Sequence, residues 1–84
     1  MPAMPGRPTL YVRAGCHLCE DAGVLLDDMI GADAYDAVDI ETDDDLLLRY
    51  AHRIPVLTID GEDRLELVFT RPDVEEALRG PMSR

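Results

Sequence analysis

The sequence predicts one α/β domain in which helices cover a four-stranded mixed sheet, in the order β-α-β-α-β-β-α. Three observations carry that prediction. Short runs rich in β-formers alternate with segments whose apolar residues recur at spacings of three and four. Glycine and proline clusters fall between these segments rather than within them. The 84-residue chain has room for a single modest core. A leading βαβ unit makes a parallel, right-handed crossover, and Asp60-Gly61 marks a hairpin that adds antiparallel strands.

Taken in order, residues 1–8 read as a flexible lead-in, because Pro2, Pro5, Gly6 and Pro8 break regular structure. Thr9 to Arg13 reads as the first strand, closed by Ala14-Gly15. From Cys16 or Leu18 to Ile30 the pattern is helical. Leu18, Ala22, Leu25, Leu26 and Met29 form one apolar stripe, Glu20 and Asp21 complement the N-terminal dipole, and Gly31 terminates the helix. Tyr35 to Ile40 is the second strand, with Val38 and Ile40 on one face. Thr42 followed by Asp45 reads as a capping arrangement, ahead of a short helix that opens on Asp43-Asp44-Asp45 and runs to about Tyr50. Ile54 to Ile59 is the most continuously apolar run and is expected to be central. Arg64 to Val68 is the returning strand. Thr70-Arg71-Pro72 opens the last helix, which buries Val74, Ala77 and Leu78 and ends at Gly80-Pro81. The domain is therefore expected over 9–80, with 81–84 as a tail.

Composition narrows the function. Eight basic residues stand against eighteen acidic ones, for a formal charge of −10, and a nucleic-acid or anionic-membrane surface needs the opposite balance. No apolar stretch has the length of a signal peptide or a membrane span, so a reducing cytoplasm is the expected location, and the protein is expected to be a monomer. In that setting two lone cysteines point to catalysis, redox sensing or metal binding rather than a permanent staple.

Those cysteines, Cys16 and Cys19, lie in Arg13-Ala14-Gly15-Cys16-His17-Leu18-Cys19-Glu20. A structural zinc site wants four ligands, and only His17 and His52 are available besides the pair. His17 sits between the cysteines, and the two histidines lie far outside zinc-ligand spacing, so no cofactor or metal is expected. The segment from Asp39 to Asp45 lacks the glycine and glutamate that an EF-hand loop requires. Redox chemistry fits the placement better. Where a strand turns into a helix, Cys16 meets unpaired N–H groups and the positive end of the dipole, which favour its thiolate. Cys19, one turn inside, is expected to be more buried. Cys16 can then attack a disulfide and Cys19 can resolve the mixed disulfide. Arg13 is either a positive charge beside the thiolate or a solvated strand-end arginine. His17 is either a proton shuttle or an exposed first-turn residue.

The stretch from Leu10 to Glu20 resembles the active-site segment of the glutaredoxin-like branch of the thioredoxin superfamily, especially small bacterial members with Cys-His-Leu-Cys. Arg49 to Leu57 followed by Asp60-Gly61 is similar to that family's cis-proline segment, and the resemblance covers roughly residues 9 to 79. It implies a thioredoxin-like, glutaredoxin-type fold and a thiol–disulfide oxidoreductase. It also implies a cis bond between Ile54 and Pro55 facing the cysteines, with the Ile54 backbone free to pair with an incoming peptide. Arg53 and His52 would be carried toward Cys16. Protein or low-molecular-weight disulfides are the implied partners.

The chain also departs from the family pattern. Val68 to Asp73 lacks the Gly-Gly turn that leads into the glutathione carboxylate site, so that site is not evident. Arg53 stands where a threonine often precedes the cis-proline dipeptide. Gly15 and Leu10 occupy the places of thioredoxin's tryptophan and buried carboxylate. The alternative is a non-catalytic thioredoxin-fold module, a redox sensor or a metal or iron–sulfur carrier built on the same cysteines.

Overall fold

In the computed structural model, which describes residues 7–79, strand β1 (Pro8–Val12) opens on a proline whose missing N–H is tolerated at a strand start. β1 pairs in parallel with β2 (Asp36–Asp39), placing Val12 opposite Asp39, and antiparallel with β3 (Val56–Ile59), placing Tyr11 opposite Val56. β4 (Glu62–Glu66) completes the order β2-β1-β3-β4 by pairing antiparallel with β3. With α1 (His17–Met29), α2 (Asp44–Tyr50) and α3 (Arg71–Arg79), this is the expected mixed sheet of the thioredoxin-like fold. Of the expected lead-in, residues 1–6 lie outside the described residues, as do Gly80, Pro81 and the tail. Arg7 is paired with Asp36 at 3.0 Å.

Two apolar clusters hold the layers together. Leu10, Leu57 and Ile59 pack with Ala22 and Leu26 of α1 and with Val74 and Ala77 of α3. Ile40, Tyr50 and Val56 form the second cluster, where Tyr11 stacks on Tyr50 with ring centroids 4.7 Å apart. All four residues of β3 are buried, since its side chains feed both clusters. That explains why it is the most continuously apolar strand, with Thr58 its one polar residue.

Several boundaries differ from expectation for identifiable reasons. The sheet-facing stripe of α1 runs through Cys19, Ala22 and Leu26, and Leu18 is 41% exposed because it lies about 100° around the helix from Cys19. Ile40 is not in β2. The Asp39 carboxylate accepts the Glu41 N–H at 2.9 Å, turning the chain into a single 3-10 turn that drives Ile40 fully into the second cluster. The cap of α2 is Asp43 rather than Thr42: its carboxylate accepts the N–H groups of Asp45 and Leu46, and the Thr42 hydroxyl donates back to the Asp39 carbonyl. The capping box falls at α3 instead, where Thr70 N–H donates to Asp73 and Asp73 N–H to the Thr70 hydroxyl. β4 begins at Glu62, directly after a turn in which Asp60 and Gly61 both have positive φ. It holds a bulge between Leu65 and Asp63 and ends where Leu67 takes φ 71°.

Candidate active site

The loop from β1 into α1 is short. Gly15, at φ 79°, supplies the positive dihedral that reverses the chain, and the Cys16 N–H returns to the Arg13 carbonyl at 3.3 Å. Cys16 is then extended (φ −94°, ψ 111°) and forms the N-cap of α1, where Ser, Thr, Asp or Asn is usual. Its Sγ accepts the Cys19 N–H at 3.1 Å, so the sulfur satisfies a backbone donor that the helix itself leaves unpaired. Cys16 is half-buried, whereas Cys19 is 5% exposed. The two are joined as a disulfide, with Cα atoms 5.1 Å apart. Beside Cys19 lies a cleft of about 360 Å³, walled by Leu10, Val12, Tyr35 and Ala37 and rimmed by Arg13 and Glu20. A larger depression of about 570 Å³, between the end of α1 and α3, holds neither cysteine.

Strand register brings a second segment to the same end of the sheet. Continued one step past Tyr11 and Val56, the antiparallel pairing sets Val12 against Pro55. The chain therefore leaves β1 for Cys16 at the edge where it enters β3. The Ile54–Pro55 peptide bond is cis. The Pro55 carbonyl accepts the Leu67 N–H at 2.9 Å, while the Ile54 backbone forms no hydrogen bond to another described residue.

A family model described as a glutaredoxin-like domain (DUF836) matches residues 8–79. The chain belongs to the glutaredoxin-like domain family. Among solved structures, this glutaredoxin-like chain is similar to the X-ray structure of the Northeast Structural Genomics target protein XcR50 from X. campestris. The two are 33% identical over 89% of this chain and 99% of that one, with a TM-score of 0.76. No curated protein sequence matches.

The charged residues singled out by sequence are placed unevenly around the glutaredoxin-like pair. Arg13 donates from Nε to Glu41 at 2.9 Å, so its guanidinium is taken up by the 3-10 turn after β2. His17 is 93% exposed, with Nδ1 3.8 Å from Glu20. His52 is exposed. Arg53 reaches β4, where its guanidinium meets Asp63 at 2.7 Å and Glu66 at 2.9 Å and lies 5.3 Å from the centre of the Tyr50 ring. The hydrogen bond from Arg53 holds the Asp63 carboxyl below the usual carboxylate range against the opposing effect of burial. Burial, helped by the hydrogen bond to Asp63, pushes the Tyr50 phenol up.

Sequence reasoning missed those carboxylate partners, because Asp63 and Glu66 lie on a strand whose register could not be read in advance. It also missed Leu67, since nothing in Glu66-Leu67-Val68 announces a left-handed leucine. Tyr35 was the more legible omission. Its hydroxyl donates to Asp27 at 2.7 Å, and burial first, then that bond, raises its pKa to about 12. Among the described residues no group of three or more His, Cys, Asp or Glu side chains is arranged to hold a metal ion. None of the described helices is long and apolar enough to cross a membrane.

Proposed function

We propose that the protein is a thiol–disulfide oxidoreductase in which Cys16 is the nucleophile and Cys19 the resolving thiol. The observation that carries this reading is the unequal placement of the two sulfurs, with Cys16 at the N-cap of α1 and Cys19 buried one turn inside. In the dithiol form, the Cys19 N–H and the helix dipole favour a thiolate on Cys16 over one on Cys19. The Cys16 thiolate attacks one sulfur of a substrate disulfide. A Cys16–substrate bond forms, the substrate S–S bond breaks, and the first substrate thiol leaves. Cys19 then loses its proton and attacks Cys16, releasing the second thiol and closing the Cys16–Cys19 disulfide. Two electrons pass from the protein dithiol to the substrate. In a reducing cytoplasm the dithiol is the resting form, and the protein acts as a reductant of protein or low-molecular-weight disulfides.

The family match and the second segment at the same sheet edge support this reading. The free backbone of Ile54, before the cis bond, suits an extended substrate segment pairing alongside it.

A Cys19→Ser variant tests the assignment. Mixed with a small uncharged disulfide, it is expected to accumulate a covalent adduct on Cys16, which mass spectrometry locates and a thiol reductant removes. Reduced wild-type protein should instead release two thiols per chain and close its own disulfide. Absence of both the adduct and thiol release would overturn the proposal and favour a binding or sensing module on the same cysteines.

A further inference from the structure

Charge at the cysteine end of the sheet goes further than the exchange reading on which this inference rests. Parallel pairing sets Asp39 opposite Val12, and antiparallel pairing sets Glu66 opposite Val56, so both carboxylates stand at the edge from which Cys16 and Ile54 emerge. Glu20 rims the cleft beside Cys19. The guanidiniums of this region are already matched. Arg13 is held by Glu41, and Arg53 by Asp63 and Glu66. Arg49, 5.9 Å from the centre of the Tyr50 ring, acts on Asp63. Among the described residues, no guanidinium pairs with the Glu20 or Asp39 carboxylates: Glu20 lies 3.8 Å from the His17 ring, and Asp39 accepts the backbone N–H of Glu41. The surplus at the site is therefore negative, and the formal charge of −10 on the whole chain reinforces it at longer range.

Apolar surface lies at the same end. Leu67, bonded through its N–H to Pro55, is 43% exposed, and Val68 beside it is also exposed. An extended peptide running past the Ile54 backbone would meet apolar contacts flanked by carboxylates.

We infer that the preferred substrates are disulfides in basic, partly apolar peptide segments, and that anionic disulfides, glutathione disulfide among them, are disfavoured. Each glutathione unit carries two carboxylates and one ammonium. No unmatched guanidinium stands among the described residues at this edge to hold a carboxylate, and the local field opposes its approach.

The test uses three disulfide peptides identical except for flanking lysines, glutamines or glutamates. Each is reduced in a single turnover by the fully reduced protein. Rates are divided by those with a small uncharged thiol, which removes differences in leaving-group reactivity. The lysine peptide is expected to react at least about tenfold faster than the glutamate peptide at about 10 mM salt. The ratio should narrow to about twofold at about 0.5 M, as screening shortens the reach of the field. In Glu41→Gln/Glu66→Gln, which frees Arg13 and removes one of the two carboxylates that hold Arg53, the low-salt ratio should fall severalfold. Reaction of all three peptides at equal normalised rates, or faster reaction of the glutamate peptide, overturns the charge inference and leaves thiol–disulfide exchange standing. Failure of all three, the uncharged glutamine peptide included, overturns both.

Discussion

Truncating Ile40 to alanine tests the packing account most sharply, because the sequence pattern and the structure assign this residue different roles. The side chain has no exposed surface and lies in the cluster with Tyr50 and Val56, against the partly buried Tyr11 and Ile54. Removing three buried carbons at about 0.8 kcal/mol each gives about 2.4 kcal/mol of lost transfer energy. The cavity left in this cluster raises the expected cost to about 3–4 kcal/mol, inside the range of about 2–5 for such truncations. For a domain of this size that lowers the melting temperature by roughly 12–30 °C. The assay is urea unfolding with the cysteines kept reduced. Ile40→Val, expected to cost about 1 kcal/mol, keeps the series measurable should the alanine variant unfold. Leu48→Ala is the control: it removes the same number of carbons from a side chain that is 86% exposed, and should stay within about 0.5 kcal/mol of wild type. A cost below about 1 kcal/mol for Ile40→Ala, or equal costs for both truncations, would refute the placement of Ile40 in the core.

Three further outcomes are expected. Asp43→Ala, which removes the carboxylate that accepts the Asp45 and Leu46 N–H groups, should cost about 1 kcal/mol by urea unfolding, whereas Thr42→Val should leave α2 capped. Gly61→Ala should cost about 1–2 kcal/mol from backbone strain alone, since φ is 80° and a methyl group there would meet nothing within 4 Å. In an ultraviolet titration the Tyr35 phenol should ionise near 12, and Tyr35→Phe should abolish that step. Because the folded pKa is raised, the Tyr35 contribution to stability is complete below the unfolded value of about 10 and is lost as pH rises from there through 12.

What was legible in the sequence depended on how local its causes were. The order of elements, the CxxC placement at a strand-to-helix turn, the Asp60-Gly61 hairpin and the Val74-Ala77 stripe each follow from a few neighbouring residues, and the structure has them all. The boundaries that differ were decided by competition between adjacent polar groups. Thr42 and Asp43 could each cap α2, and the Asp39 turn settles the matter by drawing the Thr42 hydroxyl back to its own carbonyl. Arg13 and Arg53 were harder still. Each looked like a charge available to a thiolate, and each is held by carboxylates at least ten positions away in sequence, on elements brought near only by sheet register. A single sequence carries no local record of such pairings. The charge environment of the cysteines therefore became readable only once the strands were in place.

Inequality of the two thiols underlies the proposed exchange, and alkylation of the reduced protein with iodoacetamide as a function of pH probes it, with mass spectrometry reporting which cysteine is modified. Cys16 is expected to be alkylated first, with a rate that reaches half its maximum below the ordinary titration range of a free cysteine, while Cys19 stays protected in the folded chain. Equal modification of the two cysteines, or a Cys16 midpoint at the value of a free thiol, would contradict it.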